Sequence, residues 1–239
     1  MKWLATCICI GYTQTVYNLK EERTMERHTF AMKVKEGQMD EYRERLGRIW
    51  PELTAFLDRN QVKNFSIWNA EALIFGYYET TDGRPLSQKE EAVKKELTGK
   101  IEETFDWISV PGQPMRLMYQ DFGIVRESKE LIRHRMFMTK LKPGCEEEYK
   151  KRHDGLIEKR GDTITRGPDS NFSIWCAGGY IFGYDEIDTT MEKEPGEADK
   201  AFTVEWETRQ LEIMDWITND VDWLTGEHHS ASVRLAWHA

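Results

Sequence analysis

The sequence predicts an α+β fold: two tandem ferredoxin-like units, each βαββαβ, packed sheet to sheet within one chain. Three observations carry that expectation. A gapless repeat runs through most of the chain, short runs rich in Phe, Ile, Val and Tyr alternate with turns, and two segments per repeat carry apolar residues at helical spacing.

Shifting the chain by 107 residues lays 27–79 on 134–186 with 19 of 53 positions identical. Asn64-Phe65-Ser66-Ile67-Trp68 recurs as Asn171-Phe172-Ser173-Ile174-Trp175, and Ile74-Phe75-Gly76-Tyr77 recurs as Ile181-Phe182-Gly183-Tyr184. At this period two copies mean two domains, 27–133 and 134–239, after an N-terminal extension over 1–26. Residues 28–35 and 135–142 read as the first strands. Met39, Tyr42, Leu46, Ile49 and Leu53 then mark one helix face, which Pro51 is expected to kink or divide near Trp50. Strands 64–69 and 73–79 form a hairpin, a charged helix follows over about 86–108, and a last strand over 115–121 closes the unit. The second copy places its second helix over about 197–218 and its last strand over 232–237. Trp68 and Trp175 leave the sheet face away from the helices apolar, so the two sheets are expected to cover each other.

Composition narrows the function. The 239 residues hold 42 Asp and Glu against 33 Lys and Arg, a formal net charge of −9, which argues against phosphate-backbone binding. Nine Trp, nine Tyr and ten Phe are incompatible with a wholly disordered chain, and no apolar run reaches the roughly 18 residues of a membrane span. Cys7, Cys9, Cys145 and Cys176 form no CxxC pair, consistent with reduced thiols and a cytoplasmic protein. Phosphate-loop, dinucleotide, zinc-protease and serine-hydrolase motifs are absent, so no cofactor or metal is expected. The His228-His229 pair is at most a weak surface metal site.

One position carries chemistry. Aligned helices pair Tyr42 and Leu46 with Tyr149 and His153, so a histidine stands on a core-facing helix face where the sister copy keeps leucine. Taken alone, it is either a buried structural histidine or an acid/base beside a tyrosine.

Glu148-Tyr149-Lys150-Lys151-Arg152-His153 resembles the E-Y-x-x-R-H segment of L-rhamnose mutarotases, and Ile49-Trp50-Pro51-Glu52-Leu53 resembles the I-W-P-E-L that follows it. Asn64-Phe65-Ser66-Ile67 and Asn171-Phe172-Ser173-Ile174 are similar to the family's N-Y-[AS]-I strand. The resemblance covers about 200 residues and implies a dimeric α/β barrel fused in tandem, here an intramolecular one, so that the chain is a monomer or a weak homo-oligomer. It implies a monosaccharide as substrate, His153 as the proton donor of ring opening, and Tyr149, Phe172, Trp175 and Trp216 as substrate-binding residues. Tyr42, Leu46, Phe65, Trp68 and Trp107 are the first-copy counterparts. The family's histidine is Leu46 there, and its substrate tyrosine is Phe in both copies. The first copy is therefore expected to be degenerate, with its pocket closed. A non-catalytic barrel that binds a sugar or another small ligand is the alternative.

Overall fold

The computed structural model describes residues 25–81, 85–218 and 232–239; the expected extension and the His228-His229 pair lie outside the described residues, apart from 25 and 26. The first repeat runs β1 (Glu26–Val34), α1 (Met39–Arg59), β2 (Lys63–Ala70), β3 (Leu73–Thr80), α2 (Gln88–Gly99), a 3-10 turn (Glu102–Thr104), β4 (Phe105–Trp107) and β5 (Arg116–Asp121). The second runs β6 (Ile132–Leu141), α3 (Glu146–Arg160), β7 (Asp169–Ala177), β8 (Tyr180–Asp188), α4 (Glu197–Gln210), β9 (Met214–Trp216) and β10 (Val233–His238).

Two local expectations are corrected. Pro51 sits inside an undivided α1. The carbonyl it leaves without a helical partner belongs to Gly47, which is exposed, so water satisfies it. The second helix is shorter than expected: α2 stops at Gly99 and the chain then forms β4, which pairs with β1 through Met32–Trp107. The apolar residues after Gly99 suit a strand as well as a helix, which is why spacing alone misassigned them.

The main departure is topological. The sheets are ordered β10-β2-β3-β1-β4 and β5-β7-β8-β6-β9, with every pairing antiparallel. Neither repeat is closed by its own last strand. β5 leaves the first repeat to pair with β7, and β10 returns from the second to pair with β2. Each sheet is completed by the other half of the chain.

The sheets do face each other. Ala31, Trp68, Phe75, Tyr77, Met136, Met138, Trp175, Phe182 and Tyr184 form one buried cluster, in which Phe75 stacks on Phe182 at 5.1 Å and Tyr77 on Tyr184 at 3.9 Å. Beside the tyrosines lies a buried polar knot. Asn64 donates to Glu79 at 3.0 Å and to Glu186 at 2.6 Å; Asn171 donates to the same two carboxylates at 2.5 and 3.0 Å. Lys129 neutralises Glu186 at 2.6 Å, and Arg27 reaches the Asn171 carbonyl at 2.6 Å. Both asparagines have left-handed backbones, at φ 51° and 55°, beside bulges in β2 and β7. Asparagine tolerates that region and carries an amide to the centre, which explains why the repeated motif begins with it.

The opposite face of each sheet meets its helices. Tyr42, Leu46, Ile49, Phe65, Ile67, Ile74 and Leu97 pack in the first repeat, and Leu141, Tyr149, Ile174, Cys176, Ile181 and Met214 in the second, with Met118 of β5 among them. The glycine of the repeated I-F-G-Y motif is required here. A Cβ on Gly76 would lie 1.9 Å from the Phe30 ring, and one on Gly183 2.1 Å from the Phe137 ring. Each ring thus occupies the space that a side chain on the neighbouring strand would take.

Candidate functional site

His153 lies one α3 turn after Tyr149 and is 4% exposed. Its Nδ1 is 2.9 Å from the Tyr149 carbonyl oxygen. A carbonyl only accepts, so Nδ1 carries the hydrogen and the neutral ring keeps its lone pair on Nε2, on the edge turned away from the α3 backbone. Burial lowers the imidazole pKa to about 4, more than the Tyr149 hydrogen bond and the Asp154 charge raise it. At neutral pH His153 is therefore a base.

Three rings enclose it. Tyr149 stacks at 4.2 Å between centroids, while Tyr119 at 5.5 Å and Trp206 at 5.1 Å approach edge to face. From Tyr119 the aromatic surface continues to Phe172 at 5.5 Å, then to Phe137 at 6.3 Å and Trp216 at 5.6 Å. Burial and the Glu207 charge raise the Tyr149 hydroxyl well above its ordinary range, so it stays protonated. At the outer end, Arg160 pairs with Asp121 at 3.0 Å, and Thr165 donates to the same carboxylate at 2.7 Å.

Of the residues expected from sequence, His153, Tyr149, Phe172 and Trp216 share this face. Trp175 does not: it alternates onto the inter-sheet face, where it is 6% exposed and donates to Ser173 at 3.0 Å. Trp68 occupies the matching place in the first repeat. Strand alternation puts Phe172 and Trp175 on opposite faces, so both cannot line one pocket. Cys176 is buried on the helix side with its thiol pushed up to about 12, which removes it as a nucleophile.

Sequence reasoning missed Trp206 and Tyr119. Trp206 lies eight residues before β9, as Leu97 lies eight before β4, so the repeat offset has grown from 107 to 109 in this region. Following that shift would have found it. Tyr119 carried no such signal, because it belongs to the first repeat and reaches His153 only through strand exchange.

The first repeat is the apolar counterpart. Where the second has His153 and Trp206, it has Leu46 and Leu97, both 4% exposed. Ala236 stands opposite Ile67 where Tyr119 stands opposite Ile174. Its space is not closed, contrary to expectation. A cleft of about 1740 Å³ is lined by Tyr42, Leu46, Phe65, Tyr78 and Trp107 and runs on past Tyr119 and Gln120 of β5 to Lys150 and Ile157 of α3.

A family model described as L-rhamnose mutarotase matches residues 27–109 and 134–237. Curated relatives of the same description include one from Bacteroides thetaiotaomicron, 42% identical over 65 residues, which are 27% of this chain and 62% of the relative. Another, from Flavobacterium johnsoniae, is 41% identical over 64 residues, 26% of this chain and 60% of the relative. The chain thus spans about three fifths of the curated relatives it matches. A solved structure from Fusobacterium nucleatum aligns over 88% of this chain and 96% of its own at 7% identity and a TM-score of 0.41.

Proposed function

The chain belongs to the L-rhamnose mutarotase family, and from that premise we propose that its second repeat interconverts the anomers of L-rhamnose or a related monosaccharide, with His153 as the proton-transfer residue. The carrying observation is the pair His153 and Trp206 facing each other at 5.1 Å where the first repeat holds two leucines. Nothing in packing demands an imidazole at a position that leucine fills in the sister copy.

The chemistry follows from the tautomer. Neutral Nε2 takes the anomeric O1 proton as the C1–O5 bond breaks, and the imidazolium so formed delivers that proton to O5 as the open-chain aldehyde forms. The histidine is neutral again after this step and in closure carries the O5 hydroxyl proton to the carbonyl oxygen, so one residue serves both directions. After rotation about C1–C2, O5 attacks the other carbonyl face. The Tyr149 carbonyl holds the tautomer, much as an orienting partner does in other acid/base histidines. Tyr119, Phe172 and Trp216 supply a wall against the sugar's C–H face. Such a positioned group is worth typically about 10²–10⁴-fold.

In this reading the expected proton donor, His153, begins as the acceptor and becomes the donor. The first repeat, with Leu46, has no group for proton transfer at this position and serves as a non-catalytic partner supplying β5 to the active half. Saturation-transfer NMR on L-rhamnose tests the reading. Anomer exchange above the buffer rate with the wild type, and at the buffer rate with folded His153→Ala, is the expected result. Equal rates for both proteins would end it.

A further inference from the structure

Four strands of the second sheet place a row of side chains across the helix face: Tyr119 on β5, Phe172 on β7, Asp185 on β8 and Arg135 on β6. His153 packs on the Tyr119 end of that row. The far end is polar and unexplained by the proton chemistry.

Asp185 is 3% exposed, yet its Oδ1 has no hydrogen-bond partner. A buried carboxyl oxygen left without a partner is costly, and such atoms in native proteins call for an explanation. Arg135 is the direct cross-strand neighbour of Asp185, and its guanidinium lies over the Phe137 ring at 5.8 Å. Among the described residues it makes no hydrogen bond or ion pair. The same register positions in the first repeat are His28 and Tyr78, which stack on each other at 4.7 Å; Tyr78 then meets Phe65 at 6.0 Å, and all three line the first repeat's cleft. The repeat that has the catalytic histidine is thus also the one that exchanges this ring pair for a carboxyl, whose Oδ1 is unpartnered while Asp169 and the Glu186 backbone contact the group, and a guanidinium without a hydrogen bond among the described residues.

We propose that Arg135 and Asp185 form a two-point clamp for adjacent hydroxyls of an uncharged sugar ring, on the side of Phe172 opposite His153. The inference rests on the mutarotase reading and adds to it the residues that select the substrate. The guanidinium donates to one hydroxyl oxygen while Oδ1 accepts from the next hydroxyl, and Phe172 spaces the clamped edge from the anomeric carbon. Asp169 lies beside Asp185 and is hydrogen-bonded to it, and Arg135 is the cation whose charge acts on the Asp185 carboxyl. Burial, and then the charge and hydrogen bond of Asp169, raise the Asp185 carboxyl well above its usual range.

The test measures saturation kinetics of anomer exchange for Asp185→Ala, Asp185→Asn and Arg135→Met with L-rhamnose and with its monodeoxy analogues. The clamp predicts KM raised about tenfold or more with kcat within about threefold, and one deoxy analogue that penalises the wild type but not Asp185→Ala. His153→Ala, by contrast, loses kcat. Asp185→Asn keeps an acceptor and recovers part of the affinity, which a purely structural role for the carboxyl would not produce. Unchanged KM and unchanged analogue preference in variants with wild-type melting temperatures overturn the clamp while leaving the reaction intact. If the wild type exchanges no sugar, the reaction fails instead, and calorimetric titration with L-rhamnose, L-fucose and D-xylose decides the clamp. Binding lost in Arg135→Met and Asp185→Ala sustains it; no binding by the wild type, or equal binding by the variants, refutes it.

Discussion

Replacing His153 by leucine, the residue its own sister position carries, separates the chemical from the structural role of that side chain. The imidazole pKa falls from an ordinary 6.5 to about 4 on folding. The unfolded chain therefore binds more protons between those values, and stability falls as pH drops from 6.5 through 4. At about 1.4 kcal/mol per pH unit the loss at His153 is about 3 kcal/mol by pH 4. Above pH 6.5 the group is neutral in both states and contributes no slope. Leucine removes the titration, and Leu46 shows that the fold accepts it at this position. At pH 7 the variant should be as stable as the wild type or more so, because an apolar side chain replaces a buried polar ring. Urea denaturation at half-unit steps from pH 7.5 to 4 provides the assay. The difference between variant and wild type should be flat above pH 6.5 and then grow in the variant's favour by about 3 kcal/mol. Parallel curves would refute the claim that His153 is held neutral by burial, and with it the assignment of the base. Anomer exchange in the wild type should be level from pH 6 to 8 and decline toward pH 4 as the base is protonated, with no exchange above buffer in His153→Leu at any pH.

Three further outcomes are expected. Trp206→Leu, mirroring Leu97, should lower exchange by about 10–100-fold through loss of the ring that holds His153 in place, with the pH profile unchanged; wild-type rates would show Trp206 to be a bystander. Asn171→Ala removes donors from Glu79 and Glu186 and the acceptor for Arg27, so a cost of about 3–5 kcal/mol is expected in chemical denaturation; a loss under about 1 kcal/mol would mean that the knot is solvated. Leu46→His in a His153→Ala background should restore no exchange by NMR, because Leu97 and Ala236 leave the imidazole without the Trp206 and Tyr119 counterparts; recovery to a sizeable fraction of wild type would make the first site one residue short of function.

The sequence by itself determined the duplication, the identity of most elements and the histidine. Those features are local or periodic: alternation in β2 and β3, the Tyr149–His153 spacing, and the glycines that admit Phe30 and Phe137 rings. The tertiary structure decided which half of the chain completes which sheet. The residues of β5 and β10 read as strands in either arrangement, because an edge strand satisfies its hydrogen bonds equally well on its own sheet or on its neighbour's, and only the packing of the two sheets selects between them. That choice brings Tyr119 to His153. It also fixes the faces, so that Trp175, equally plausible in a pocket or a core when read as sequence, belongs to the core between the sheets. Asp185 was silent for a related reason: a buried carboxyl acquires meaning only from the groups it faces, and those neighbours come from other elements of the chain, whereas Trp206 could be found once the shift in repeat offset is followed.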